Sequence, residues 1–421
     1  MSKFEKYDRA VRFLEGLYNL PVEAEYMKDR NSPEIYLKRF QYFLDMIGNP
    51  EKGFKYVHIT GTAGKGTVSN LIHRALVLSG KKVGLVTSPF VTTTIEKIQV
   101  DSLYISPNDF ADIVEYLEPF IDRAYLKSPF GRPSYFEILF AVALVYFKRQ
   151  NCDWVVLEVG CGGRYDYTNV IKKPEVAVIT NVDYDHTEVI GPTLTKIAYE
   201  KSGIIKSGCR FWTAEQRPHV LKVIEKECRK NKVVMNKIKA SGNAWDTNKK
   251  LVEAIVEDLG LCKSCFEEAK EMAVLPCRFE TISLTPRIIL DGAHNGVKIA
   301  STIQNLKKLK YRRLIVVFGI AHNKDYADIV PQITKVADYI FITRPQIAQR
   351  KCAHPLEIFN LSGEEKIKAE IILDPFRALE EAKKIANKDD LILVTGSLFL
   401  AGDLRTLWYP AEWVLSHRRS F

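Results

Sequence analysis

The stretch "VHITGTAGKGTVSN", Val57 to Asn70, decides how this chain is read. With Lys55 and Tyr56 before it, its opening has the β-branched and aromatic content of a strand. A glycine turn follows. Beyond the turn, Val68, Leu71, Ile72, Ala75 and Leu76 recur at helical spacing until Gly80 closes the run. A strand, a glycine turn and a helix form the setting in which backbone N–H groups and the helix dipole bind an anion. Gly61, Thr62, Gly64, Lys65, Gly66 and Thr67 are therefore candidate contacts to nucleotide phosphates. The spelling departs from the common phosphate loop, whose lysine directly precedes the Ser or Thr. Here Gly66 stands between Lys65 and Thr67. A tight turn with a surface lysine is the competing reading, so the loop needs corroboration from elsewhere.

Outward from the loop, "KKVGLVTS", "CDWVVLEVG" and "EVAVITNVD" are short apolar runs separated by helical stretches such as "YFEILFAVALVYFKRQ". That alternation predicts an α/β fold, a mostly parallel sheet covered on both faces. Ligands of such sheets sit beyond the carboxyl ends of the strands. Ser88, Glu158, Asp185 and His186 fall there. The segment from Phe211 to Met272 reads as charged helix with little strand signal. From Val274 the pattern restarts with "RIILDGAHN", "RRLIVVFGI", "ADYIFITRP" and "DLILVTGSL". Two domains are expected, 1–273 around the phosphate loop and 274–421 as a smaller α/β domain.

Bulk properties agree with a globular protein. The chain has 421 residues, 46% hydrophobic and 27% charged, enough for two cores. Its longest apolar run, Ile138 to Phe147, is about half of what a membrane-spanning helix needs. The charged start "MSKFEKYDRA" lacks a secretory signal, so cytoplasmic residence is expected. A net charge of +10 favours anionic partners without choosing among nucleic acid, lipid and nucleotide phosphates. "KKLKYRR", Lys307 to Arg313, reads as a solvated helix end. The eight cysteines show no paired framework and are expected as reduced thiols. The one close pair, Cys262 and Cys265, lacks the second ligand pair that structural zinc requires.

Corroboration of the loop comes from carboxylates. Glu158 ends an apolar run and is followed by Gly160, Gly162 and Gly163, where backbone can approach a ligand. An acid so placed can hold magnesium, which prefers oxygen ligands. Asp185 and His186 are read as following the next buried strand directly, where an imidazole can ligate metal or orient water, although such a pair reads equally as a plain turn. Lys201 follows in "IAYEKSGIIK" and reads equally as a surface lysine.

Together "GTAGKGT", "TSPFV", "LEVGCGGRYDYTNV", "TNVDYDHTEVIGPTLTKIAYEKSGIIK" and "LDGAHN" resemble, in this order, the signatures of the folylpolyglutamate synthase and dihydrofolate synthase family within the Mur ligase superfamily. The resemblance covers about residues 25 to 405 and implies a P-loop ATPase domain followed by a Rossmann-like domain. It implies ATP-dependent ligation of L-glutamate to a folate or dihydropteroate through an acyl phosphate. By position it makes Ser88, Glu158 and His186 magnesium ligands and Lys201 a carbamylated lysine that assists them. Lys65, His186, Lys201 and His294 become catalytic candidates. Asn248, Arg278 and Asp291 become ATP contacts, and His294 and Ser397 residues near the incoming glutamate. A cytoplasmic monomer that uses neither nucleic acid nor membrane is the expected setting. The chain departs from the family at several points. Ala63 replaces the usual Asn of the loop, Cys161 a Leu and Tyr167 an Ala, and Cys277 a Gly before Arg278. "GNAWDTN" keeps Gly242 and Asn248, with Ala244 and Trp245 where His and Gln are usual. These departures keep open a different carboxylate acceptor, or a silent nucleotide-binding homologue.

Overall fold

The computed structural model describes residues 3–17, 33–272, 275–346, 351–363 and 367–421. They fall into two units, Met1–Phe90 with Thr94–Ala273, and Val91–Thr93 with Val274–Phe421. The junction expected at 273/274 lies outside the described residues.

The first unit holds strands β1 (Lys55–Thr60), β2 (Val83–Val86), β3 (Ile98–Val100), β4 (Leu103–Tyr104), β5 (Trp154–Glu158), β6 (Val176–Ile179), β7 (Arg210–Thr213) and β8 (Met235–Lys237). They form one sheet in the order β4-β3-β2-β5-β1-β6-β7-β8, parallel from β2 to β8, with β3 and β4 antiparallel at one edge. Its central strands are apolar on both faces because both faces are covered. In β6, Val176 and Val178 pack beneath the helix Lys65–Leu78, while Ala177 and Ile179 join Ile197, Ile204 and Phe211 on the other side. The chain leaves β1 toward β2 and later crosses from β5 to β6, on the far side of β1. That reversal of direction opens a crevice at the carboxyl end of β1, where ligands bind in sheets of this kind.

Two short strands interrupt the segment expected to be charged helix. β7 pairs with β6, and β8 pairs with β7 at the sheet edge. β8 is three residues, Met-Asn-Lys, half-buried at best, so it carries no periodic apolar signal. The helices on either side of it, Pro218–Asn231 and Ala244–Asp258, match the helical pattern there.

The second unit holds β9 (Glu280–Leu284), β10 (Arg287–Leu290), β11 (Leu314–Phe318), β12 (Tyr339–Ile342), β13 (Lys368–Ile371) and β14 (Leu391–Thr395), in the order β13-β12-β11-β14-β10-β9. Only β9 runs antiparallel to its neighbour. Alternate residues again feed two cores: Leu391 and Leu393 enter one, Ile392 and Val394 the other. Within "KKLKYRR", Arg313 forms a 2.6 Å ion pair with the buried Asp390, so the cluster is partly structural.

The expectation that all cysteines are reduced is corrected at one place. Cys262 and Cys265 form a disulfide with their Cα atoms 5.3 Å apart. Cys262 caps the helix Lys263–Glu271, and the first turn brings the two residues within the range a disulfide needs. The remaining six cysteines are free thiols.

Candidate active site

The loop after β1 is shaped by the loop after β6. Thr62 N–H donates to the Asn181 carbonyl at 3.1 Å, and the Ala63 N–H donates to Asn181 Oδ1 at 2.9 Å. Thr180 Oγ1 donates to the Ala63 carbonyl at 2.6 Å, and Thr62 Oγ1 exchanges hydrogen bonds with the backbone of Asp183. Gly64 then turns the chain at φ 82°, a left-handed conformation that costs other residues about 1–2 kcal/mol, and starts the helix Lys65–Leu78. The helix thus begins three residues before its first apolar position, Val68. Lys65 folds back and donates to the Gly61 carbonyl at 2.9 Å.

Glu158 ends β5 level with Ile59 of β1, which brings its carboxylate to the loop. A Cβ built on Gly66 would lie 3.7 Å from Glu158 Oε2. The same oxygen accepts the Ser88 N–H at 3.1 Å, so the loops after β1, β2 and β5 meet at one carboxylate. Thr67 is the next residue of the helix's first turn.

Lys201 lies in the helix Leu194–Ser202 and is 4% exposed. Burial, reinforced by the nearby Lys65 cation, lowers its pKa to about 7, while Cys161, Asp185 and Asp166 act in the opposite direction. The ammonium is therefore partly deprotonated near neutrality. Gly163 packs closely against it: a Cβ there would lie 3.0 Å from the carbonyls of both Glu200 and Lys201, so any larger residue would have to push this turn of helix back by a few tenths of an ångström. The neighbouring Glu200 is pushed up to about 7 by burial.

Asp185 and His186 stand further from their strand than expected. β6 ends at Ile179, and of the intervening residues Thr180, Asn181 and Asp183 brace the phosphate loop instead. His186 has φ 52° and caps the short helix Thr187–Ile190, with its side chain 44% exposed. Its Nε2 is 3.9 Å from Asp185 Oδ2. Asn248, buried in the helix Ala244–Asp258, places its amide nitrogen 2.5 Å from a Cβ built on Gly64.

Sequence reasoning missed the supports of this site. Besides Thr180 and Asn181, a buried chain runs from His58 Nε2 to Thr168 Oγ1 at 2.8 Å and on to Asp166 Oδ1 at 2.5 Å, with Asp166 Oδ2 accepting the Cys161 N–H. It ties β1 to the glycine turn after β5. Asn181 directly follows the run "VAVIT", and a polar residue at that strand end was the available signal. Beside Ser88, a small pocket is lined by Thr87, Lys97, Phe136, Phe140 and Tyr167. Lys97 is 6% exposed, with its ammonium 5.3–5.4 Å from the ring centroids of Phe90, Tyr135 and Phe136. Tyr167 stacks on Phe136 at 6.2 Å and 10°.

In the second unit, Asp291 follows β10, and Ser397 lies just beyond β14, the strand paired with β10. Asp291 is buried and accepts from the N–H groups of Phe279 and Ala293 and from Thr302 Oγ1 at 2.8–3.0 Å. Burial raises its pKa, with Thr302, Arg278 and the two N–H groups opposing. A Cβ on Gly292 would meet Arg278 Nη1 at 2.9 Å, so Arg278 lies over the same turn. His294 Nδ1 is 2.8 Å from the Gly292 carbonyl, and its Nε2 is 3.1 Å from Lys298 Nζ. Ser397 caps the helix Leu398–Arg405 through the Phe399 N–H. Asp291, Arg278 and His294 thus share one turn, and Ser397 lies past the adjacent strand end.

The Mur ligase middle domain matches residues 127–257, and the Mur ligase, glutamate ligase domain matches residues 277–398. The dihydrofolate synthase/folylpolyglutamate synthase of Bacillus subtilis is 28% identical over 413 residues, 88% of this chain and 94% of that protein. The solved folylpolyglutamate synthase of Thermotoga maritima superposes with a TM-score of 0.79 at 29% identity, covering 99% of this chain and 98% of that one. The fold is also that of the Mycobacterium tuberculosis folylpolyglutamate synthase complexed with ADP and AMPPCP, with a TM-score of 0.83 at 24% identity over 95% of this chain and 98% of that one. With these similarities running the length of both units, the chain belongs to the folylpolyglutamate synthase/dihydrofolate synthase family of the Mur ligase superfamily.

Proposed function

We propose that the protein is an ATP-dependent ligase that joins L-glutamate to the carboxylate of a folate or dihydropteroate. The observation that carries this reading is the meeting of the phosphate loop, Glu158 and the buried Lys201 at one sheet edge. An oxygen of the acceptor carboxylate attacks the γ-phosphorus, the bond to the β–γ bridging oxygen breaks, and ADP leaves. The glutamate amine then attacks the acyl carbon, the C–O bond to phosphate breaks, and the nitrogen loses a proton. Phosphoryl transfer asks chiefly for positioning and charge neutralisation, which the loop's N–H groups and Lys65 supply.

The residues fit a magnesium ion. Among the described residues no three His, Cys, Asp or Glu side chains gather into a cage. A nucleotide-bound magnesium takes only one or two carboxylates, with phosphate oxygens and water completing its shell. Glu158, Ser88 and His186 would hold it, and when bound it neutralises charge on the transferred phosphoryl group. Lys201 is suited to carbamylation because only the neutral amine attacks carbon dioxide, and its pKa of about 7 leaves that form abundant. The product carbamate is an anion where an ammonium would repel the metal.

In this reading residues 1–273 bind nucleotide and residues 274–421 form the ligase domain, in which Arg278 and Asp291 contact ATP and His294 and Ser397 serve the incoming glutamate. The protein works as a cytoplasmic monomer on small molecules, without nucleic acid or membrane. The Tyr167–Phe136 stack, where the family has Ala, favours a second reading: the same chemistry on a different carboxylate. Phosphate release from ATP, measured with glutamate and each pterin acceptor in turn, tests both. Glutamate-dependent release with a folate or pteroate is expected. Release with other carboxylates alone would favour the second reading, and none with any acceptor would leave a silent nucleotide-binding protein.

A further inference from the structure

Arg278 sits in a turn that its neighbours do not adopt freely. Cys277 and Phe279, one on each side of it, both have φ 54°, a left-handed conformation that a residue with a Cβ keeps only where its surroundings hold it there. Three hydrogen bonds do so. The Gly292 N–H donates to the Cys277 carbonyl at 2.8 Å, the Phe279 N–H to Asp291 Oδ2 at 2.8 Å, and the Cys277 N–H to Glu280 Oε2 at 2.7 Å. The first two engage the turn after β10. The third depends on a buried carboxylate, which needs a counter-charge of its own.

Arg405 supplies it. Its Nε is 3.0 Å from both Glu280 oxygens, and its Nη2 donates to the Ser420 carbonyl. The pair is closed to solvent, with the Arg405 and Glu280 side chains 0% and 2% exposed. The ring centroids of Tyr409 and Phe421 lie 4.3 and 5.1 Å from the guanidinium carbon. Arg405 ends the helix Leu398–Arg405. The first residue of that helix packs on the other side of the same turn, since a Cβ built on Gly292 would lie 2.9 Å from Leu398 Cα. One short helix thus holds the Arg278 turn at Gly292 with its first residue and at Glu280 with its last.

We propose that Arg405 and Glu280 are positioning residues that aim Arg278. The inference rests on reading Arg278 as a contact to ATP and adds what holds it in place. With Arg405 present, Glu280 keeps its oxygen on the Cys277 N–H, Cys277 stays left-handed, and the next residue projects over Gly292. Without it the carboxylate loses its counter-charge, Cys277 relaxes, and Arg278 turns away from its place above the turn. Apolar residues of the same volume serve stability as well as a buried ion pair does, so the pair's contribution here is the direction it imposes.

The test measures ATP affinity by calorimetry, with magnesium and no acceptor, beside urea unfolding of the same full-length variants. Arg278→Ala should weaken ATP binding about 10-fold with little change in the unfolding midpoint. Arg405→Lys keeps the charge but cannot span both Glu280 and the Ser420 carbonyl; it should lower the midpoint and weaken ATP binding about as much. Combining the two should weaken ATP binding no further than Arg278→Ala alone, because Arg405 acts through Arg278. Adding Cys277→Gly to Arg405→Lys should restore ATP affinity while the midpoint stays low, since glycine holds φ 54° unaided. Glu280→Gln, which offers one acceptor to two donors, is the second variant and should show the same loss and the same rescue. A lowered midpoint with unchanged ATP affinity, in both Arg405→Lys and Glu280→Gln, would make the pair merely structural and overturn the proposal. Additive losses in the combined variant, or no rescue by Cys277→Gly, would overturn it too. Unchanged affinity in Arg278→Ala would instead remove Arg278 from the nucleotide site, and the proposal with it.

Discussion

The two units end their central strands in different ways. At the end of β1 the chain enters a glycine loop with two lysines near it, and burial and Lys65 together push Lys201 down to about 7. At the end of β10 it enters Asp291, whose carboxylate is held by three donors of its own unit. The loop's backbone is braced by the residues just after β6, whereas Lys65, among the described residues, donates within its unit to the Gly61 carbonyl. One sheet edge keeps its charges for an incoming group, and the other uses its acid to hold a turn together. Substitutions at the first site should therefore cost function, and those at the second should cost stability as well.

The largest expected effect is at Lys65. Lys65→Ala removes the cation that would meet the phosphates, and kcat should fall about 1,000-fold or more with the unfolding midpoint nearly unchanged. Near-normal turnover would remove the loop from the reaction. Asp291→Ala breaks the comparison from the other side. It leaves two N–H groups and the Thr302 hydroxyl without their acceptor, and should cost about 3 kcal/mol in urea unfolding of the second unit. An unaltered midpoint would mean that this acid, too, is reserved for ligand.

What could be read from residues alone follows the same division. The glycine loop, Glu158 and the α/β alternation are local features, a spacing or a periodicity within about twenty residues, and the sheet edge they imply is where they lie. The braces are not local. Asn181 meets Ala63, and Thr168 meets His58, across more than a hundred residues of chain, so nothing near either partner marks the contact. β8 escaped because a three-residue edge strand has no period to detect. The disulfide runs against the expectation of reduced thiols because the spacing of Cys262 and Cys265 suits free thiols at a helix start equally well.

The buried histidines are both in the first unit among the described residues, and they give it a distinct acid response. Burial lowers His58 to about 3 and His73 to about 4. Below pH 6.5 the unfolded chain takes up a proton on each while the folded one does not, so stability present above pH 6.5 is lost as the pH falls toward 4. At pH 5 this amounts to about 2 kcal/mol per imidazole. Glu200, raised to about 7, acts in the opposite sense because the folded state binds its proton first. The imidazole contribution is isolated by His73→Gln: the drop in urea stability between pH 7 and pH 5 should be smaller than in the unsubstituted protein by about 2 kcal/mol. Equal drops would show that His73 takes up its proton without unfolding.

The smallest effect is expected at Ala63, the residue where the loop departs from its family. Both backbone groups of Ala63 are already engaged, the N–H by Asn181 Oδ1 and the carbonyl by Thr180 Oγ1, and the turn that follows is set by Gly64. The loop's shape thus comes from β6 and from glycine, with no demand on the side chain at 63. Ala63→Asn should change ADP affinity by less than about 3-fold, within the few tenths of a kcal/mol typical of substitutions that alter no buried contact. A gain of tenfold or more would mean that an asparagine side chain adds a hydrogen bond to the nucleotide that the backbone does not provide. The present loop would then be a weakened one, and the contrast with the self-held turn at Asp291 would rest on backbone and side chain together.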